Sequence, residues 1–322
     1  MYKVYDEWPQ IAREQYESDL EPIDFDKISH IVFAGMGGSG AISDIFSSIM
    51  SKTNIHVEVV KGYLLPKTVN SESLVITTSI SGNTEETLSI LNYANKLECK
   101  IIAFSNGGKM QKFCQEKNLD YRNIPMRHSP RASFTTFLFS MLKILESVIP
   151  IKKVDVIESL EKLEILKKEI SSNNLTEDNS SLSLARWISD IPLIYYPWGL
   201  QAAAIRFKNS LQENAKIHAI TEDVIEASHN GIVSWKNPSR IKPILIQGEE
   251  DYLKTKQRWR ILKEFFKENE IEFYEIKSIQ GNILSKIINL IYLLDYTSIY
   301  LAVMSEIDPT PVTAIDYVKD QL

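Results

Sequence analysis

The chain has 322 residues, 44% hydrophobic and 24% charged, which is long enough for two domains with substantial cores. A net charge of -6 and a pI near 5.6 leave no global basic field for nucleic acid or an acidic membrane, so a phosphorylated small molecule needs a local grip. Two cysteines without CxxC spacing exclude a disulfide framework or zinc knuckle and point to a reducing cytoplasm.

The segment Tyr2 to Leu20 alternates charge with aromatics and lacks the apolar core of a signal peptide, so it reads as an N-terminal helix. His30 to Ala34 is a buried strand that runs into Gly35-Met36-Gly37-Gly38-Ser39-Gly40 and then an apolar helix through Ile42, Ile45 and Phe46. Further strands are expected at Ile55 to Val60, Leu74 to Thr78 and Cys99 to Phe104, with a fifth at Tyr121 to Ile124 and a helix from Phe134 to Ile149. Mostly unbroken apolar strands alternating with helices predict a parallel sheet covered on both faces. Ligands then bind outside the carboxyl ends of the strands.

A helix is expected over Ile151 to Ile170, followed by a polar loop from Ser171 to Ser183. The alternation resumes with a strand at Ile191 to Tyr196, a Trp198-Gly199 turn and a helix from Ala202 to Leu211. Strands at Pro243 to Gln247 and Ile271 to Ile276 follow, separated by a helix from Leu253 to Asn269. The most apolar stretch, Ile287 to Met304, is interrupted by Asp295 and reads as part of a buried helix, not a membrane span. A short helix from Thr313 to Leu322 closes the chain. The expected organisation is two related α/β halves, 1–152 and 153–322, the second lacking the glycine loop.

The stretch Thr78 to Thr87 joins a strand to a helix and is crowded with hydroxyls: Ser79, Ser81 and Thr84 stand where the helix begins. Helix N-termini offer unpaired N–H groups and a positive dipole end, so several hydroxyls there suit a phosphate monoester. Helix capping, the plainer explanation, requires one Ser or Thr. Gly35, Gly37 and Gly40 also fit G-x-G-x-x-G, the dinucleotide pattern. That pattern wants an acid near the end of the second strand, and Glu58 is followed by Val59 and Val60, which continue the strand. The preferred reading has Gly37 and Gly38 lending backbone amides to a substrate while Ser39 adds a hydroxyl. A dinucleotide-dependent oxidoreductase is the alternative.

The chain resembles the bifunctional phosphoglucose/phosphomannose isomerases built from two sugar-isomerase (SIS) domains. The resemblance rests on Gly35 to Gly40, Ser79 to Thr87, Pro130-Arg131-Ala132, Gln212 to Lys216, Ser228-His229-Asn230 and Asp308 to Val312, in family order over nearly the whole chain. It implies two SIS domains, each a flavodoxin-like doubly wound parallel sheet flanked by helices. It further implies that Ser39, Ser79, Ser81 and Thr84 hold the phosphate of a hexose, that Arg131 lies by the reacting carbons and that Glu213 is the base. His229 and Lys319 would assist ring opening, and Thr310 would leave room for both C2 epimers. A cytoplasmic homodimer of glycolysis and gluconeogenesis is implied, with His229 supplied across the interface. The chain departs from relatives at Gly231, where Glu is frequent, at Ser228 for Asn and at Ile80 for Tyr.

The chemistry suits these residue types. Isomerisation through a cis-enediol(ate) needs one carboxylate near two adjacent carbons, a fixed cation for the developing oxyanion, and a group that titrates near neutrality for ring opening. Without the resemblance, Glu213 reads as a helix-surface acid paired with Lys216, Arg131 as an exposed loop arginine and Lys319 as a solvated charge. His229 is chosen over His30, His56, His128 and His218. No hydride moves, so no nicotinamide cofactor is required, and no ligand spacing suggests a metal. A non-catalytic SIS-type sugar-phosphate sensor is the second alternative, although no helix-turn-helix is evident before His30.

Overall fold

Most of the β-branched and apolar runs form strands close to where they are expected, but the run expected over Ile271 to Ile276 pairs only over Tyr274–Lys277. In the computed structural model, which describes residues 1–321, the first parallel sheet contains β1 (His30–Ala34), β2 (His56–Val60), β3 (Ser73–Ser79), β4 (Lys100–Ser105) and β5 (Asp120–Asn123). Their spatial order is β2-β1-β3-β4-β5, all neighbours parallel. The side-chain period of two splits each strand between two covered faces. Val32, Val75 and Ala103 pack with Ile90 and Leu91 of the helix Glu85–Ala94 and with Met110 of the helix Gly108–Lys117. Phe33 stacks on Phe46 of the helix Gly37–Met50, with ring centroids 5.1 Å apart. Each such buried aromatic contributes about 1.5–3 kcal/mol relative to exposure.

The second parallel sheet contains β6 (Ile191–Tyr196), β7 (Ile220–Asp223), β8 (Ile241–Gln247) and β9 (Tyr274–Lys277), in the order β7-β6-β8-β9. Counted within its own half, this order begins as the first sheet does. One cluster joins Leu193, Tyr195 and Leu245 to Trp259, Leu262 and Phe266 of the helix Leu253–Glu268. The long helix Ile283–Met304 is buried on nearly every face, which explains its apolar composition. It is the one helix among the described residues long and apolar enough to cross a membrane.

Several expectations change. The segment read as loop to Ser183 ends at Asn179, whose side chain accepts from the Leu182 amide and starts a helix, Ser180–Trp187. The Asn179 amide group also donates to the carbonyl of Ile170 and to Tyr300, so a polar run becomes a buried corner. β7 is too short and too charged (Ile-Thr-Glu-Asp) to stand out, and forms because β6 offers it an edge. The helix expected to run to Ile149 stops at Ile144, and the helix expected to end at Leu211 passes into a π turn, Leu211–Ala215. The last helix spans Thr313–Asp320; Leu322, included in the expected range, lies outside the described residues.

The chain divides into two compact units. One is Val4–Glu164; the other runs from Ile165 onward and takes in Met1–Lys3. The division falls inside the helix Lys153–Ile170.

Candidate active site

The first unit builds the hydroxyl nest at the carboxyl ends of β1 and β3. Ser79, the last residue of β3, is only 1% exposed, and its Oγ lies 2.8 Å from Thr84 Oγ1. Thr84 occupies the N-cap position of the helix Glu85–Ala94, yet its side chain makes no capping bond. The capping explanation therefore fails for the residue best placed to satisfy it. The Ser39 hydroxyl accepts from the Ile80 amide at 3.3 Å, tying the glycine loop to the nest. Ser81 is exposed, and its Oγ accepts the Asn83 amide at 3.3 Å.

Glycine is required at the bend itself. Gly82 has φ +70°, and a Cβ there would stand 1.9 Å from the carbonyl oxygen of Gly107. Gly37 opens the helix Gly37–Met50 with φ +53°, and Gly38 follows it. A Cβ on Gly38 would rest 3.6 Å from the carbonyl oxygen of Pro130, which brings the Pro130-Arg131 turn beside the glycine loop. Arg131 is 7% exposed, so the surface-arginine explanation fails too. The first amides of a helix have no intrahelical acceptor, and here they share a corner with buried hydroxyls.

The dinucleotide alternative loses its ribose acid. Glu58 pairs in register with Val32, two residues before β2 ends, and its carboxylate is engaged by His30 and by the Thr68 hydroxyl. The strand ends in Val59-Val60 with Lys61 beyond it, and Lys61 is ion-paired to Asp44 at 2.6 Å.

In the second unit Glu213 is half-buried on the π turn Leu211–Ala215, not on a regular helix surface. Inserting one residue into a helical turn re-aims its side chains, and such turns recur at functional sites. Two anchors hold this one. Asn214 Nδ2 donates to Ser298 Oγ at 2.9 Å, and Lys216 Nζ donates to the backbone carbonyls of Glu213 at 2.5 Å and Pro311 at 2.7 Å. Lys216 thus joins the Glu213 turn to the exposed Thr310-Pro311 segment. Behind the turn, Arg206 donates to Asp295 at 2.6 and 3.0 Å, and Ser210 donates to the other Asp295 oxygen at 2.6 Å. Asp295 is completely buried, and it locks the helix Gln201–Ser210 against Ile283–Met304. Asn214, Asp295 and Arg206 were invisible as positioning groups in the sequence, where the only signal was an acid inside an apolar helix.

His229 follows the short helix Val224–Ala227, capped by Asp223, and is exposed. Its ring makes no hydrogen bond among the described residues. Gly231 sits against Glu222: a Cβ would come within 2.6 Å of that carboxylate. Burial, with Glu226 and Asp223 adding to it, raises the Glu222 carboxyl above its ordinary value. Lys319 lies in the exposed helix Thr313–Asp320. The hydroxyls, glycines and Arg131 belong to the first unit, while Glu213, His229, Thr310 and Lys319 belong to the second.

Comparison with known proteins accords with this division. Residues 24–145 match the SIS domain family, and residues 177–322 match the bacterial phospho-glucose isomerase C-terminal SIS domain. A protein named bifunctional phosphoglucose/phosphomannose isomerase from Caldicellulosiruptor bescii is 34% identical over 92% of this chain and 90% of its own. One of the same name from Aquifex aeolicus is 30% identical over 100% of this chain and 98% of its own. Among solved structures, the C-terminal domain of glucosamine-fructose-6-phosphate aminotransferase from Francisella tularensis superposes with a TM-score of 0.69 at 16% identity. That match covers 95% of this chain and 96% of the other.

Proposed function

The chain belongs to the bifunctional phosphoglucose/phosphomannose isomerase family, and on that premise we propose that it interconverts glucose 6-phosphate and mannose 6-phosphate with fructose 6-phosphate. Support comes above all from the nest at Ser79 and Thr84, whose hydroxyls are buried or half-buried at a helix N-terminus and do not cap it. Ser39, Ser79, Ser81 and Thr84 bind the phosphate, with the amides of Gly37 and Gly38. We assign this grip to a first domain, 1–152, and the proton chemistry to a second, 153–322.

In the reaction Glu213 removes the proton from C2 of an aldose phosphate and returns it to C1, so a single carboxylate serves both carbons. Arg131 stabilises the charge on the enediolate oxygen. His229 and Lys319 exchange protons with the ring oxygen and the C1 hydroxyl during opening. The exposure of His229 suits its delivery to the site of a neighbouring subunit in a homodimer. Thr310, next to Pro311, whose carbonyl accepts from Lys216 beside the Glu213 turn, leaves room for rotation about the C2–C3 bond, so that one base serves both epimers.

The test is a coupled assay on both aldose phosphates, run beside Glu213→Gln. The parent should consume both substrates. The variant should lose about 10²–10⁴-fold in kcat while binding a five-carbon sugar-acid phosphate as tightly as before. Near-normal turnover in the variant refutes the base assignment, and an inactive parent that still binds the phosphate favours a sensor.

A further inference from the structure

We propose that His30, His56 and Glu58 form a binding site for a divalent transition-metal ion of the zinc class, at the amino end of the first sheet. The parallel register sets His30 beside His56 and Val32 beside Glu58. Residues two apart on a strand share a face, so His56 and Glu58 project together, and His30 reaches them from the neighbouring strand. His30 Nε2 lies 3.1 Å and His56 Nε2 4.0 Å from the same Glu58 oxygen. The three ligand atoms all lie within 4.8 Å of one another.

An ion with tetrahedral bonds of about 2.0–2.1 Å holds its ligands about 3.4 Å apart, so the set must tighten by no more than about 1.4 Å. His56 can supply that movement, because its side chain is 65% exposed. Two imidazoles and one carboxylate, with a position left for water, are the donor set that zinc-class ions favour.

The surroundings already orient the ligands. Ser73 Oγ lies 3.0 Å from His30 Nδ1, accepts the Asn70 amide at 2.9 Å, and is 3.5 Å from Asn70 Oδ1 as a donor. Without metal, His30 directs Nε2–H at the Glu58 carboxylate; an incoming ion displaces that proton, and Ser73, with its own proton on Asn70, then accepts His30 Nδ1–H while Nε2 takes the ion. Such an outer hydroxyl fixes tautomer and ring direction. Thr68 donates to Glu58 at 3.1 Å and steadies the carboxylate. A plain His30–Glu58 pair would explain two of these residues. It gives no role to His56, whose ring stands 5.0 Å from that of His30. Because β2 is the edge strand of the sheet, an ion held here would fasten it to β1.

The full chain is freed of metal with EDTA, dialysed, and titrated with zinc alone by calorimetry and with cobalt(II) by its absorption spectrum. The expected result is one ion per chain. In His56→Ala affinity should fall on the order of 10–100-fold or more, since losing even an outer partner costs that much. Zinc should raise the unfolding temperature of the parent and of the control His218→Ala, but not that of His56→Ala. The metal-free His56→Ala chain should unfold where the metal-free parent does, which separates loss of a ligand from loss of the fold. Absence of stoichiometric binding in the parent, or a His56→Ala titration matching the parent's, overturns the site.

Discussion

The two sheets share a strand order and differ in what stands at the carboxyl ends of their strands. In the first, β1 runs into a glycine loop with Ser39, and β3 ends on Ser79 with Ser81 and Thr84 beyond it. In the second, the corresponding strand β6 runs into Pro197-Trp198-Gly199, with Trp198 74% exposed, and β8 runs into Gly248-Glu249-Glu250-Asp251. Hydroxyls and amides suit a phosphate, whereas the second turn offers acids, of which Glu250 is already ion-paired to Lys286. Asp251 is folded inward, accepting the Gly248 amide at 3.0 Å and Trp259 Nε1 at 2.9 Å, so this acid serves the loop itself. On the proposed reading, a common scaffold carries the phosphate grip in one half and, in the other, the base on the π turn Leu211–Ala215.

The sharpest way to break that contrast is kinetic. Ser79→Ala should raise KM for the sugar phosphate roughly 10–100-fold, by removing one charge-assisted bond worth about 1.5–3 kcal/mol, and should leave kcat within a few-fold. Glu213→Gln should show the reverse split. Equal falls in kcat for both variants would mean that grip and base are not separate.

The next effect tests what holds the Glu213 turn. Removing one partner of a buried, hydrogen-bonded ion pair leaves the other charge uncompensated, so Asp295→Ala should cost about 3–5 kcal/mol in chemical denaturation. The buried pair of the first half, Asp44 with Lys61, has a more exposed cation and a carboxyl whose burial outweighs the attraction of Lys61, raising its pKa. Asp44→Asn should therefore cost far less than Asp295→Ala, and equal costs would contradict the difference.

The smallest effect concerns the setting of His229. The folded state raises the Glu222 carboxyl pKa, so its ionisation disfavours folding. The penalty is absent below the unfolded carboxylate pKa of about 4.3 and grows as pH rises toward the folded value, above which it is constant. Glu222→Gln should unfold at a slightly higher temperature than the parent at pH 7 and lose that advantage by pH 4. A gain that persists at pH 4 would have another origin.

How much was legible follows from the range of the forces involved. Strand and helix identities are written locally, in β-branched runs and helical spacing, and so β1, β3, β4 and the long helix Ile283–Met304 are apparent without coordinates. β7 and the helix Ser180–Trp187 are polar segments whose backbone groups are satisfied only by distant partners, and they were not. The same holds at the site. The hydroxyl cluster within Ser79–Thr84 is contiguous and readable, whereas Glu213 looks like an ordinary surface acid until its turn is seen to be π-helical.

By itself the sequence determined the alternating α/β order, the position of both glycine- and hydroxyl-rich turns at strand ends, and the family motifs in their order. Tertiary structure alone decided that Thr84 does not cap its helix, that Arg131 is buried and that Asp295 anchors Arg206 behind the π turn. It also set His30 beside His56 through a parallel register. Propensity and periodicity act over a few residues and survive in one dimension. Register, burial and ion pairing join residues far apart in the chain, and exist only once the strands have chosen their neighbours.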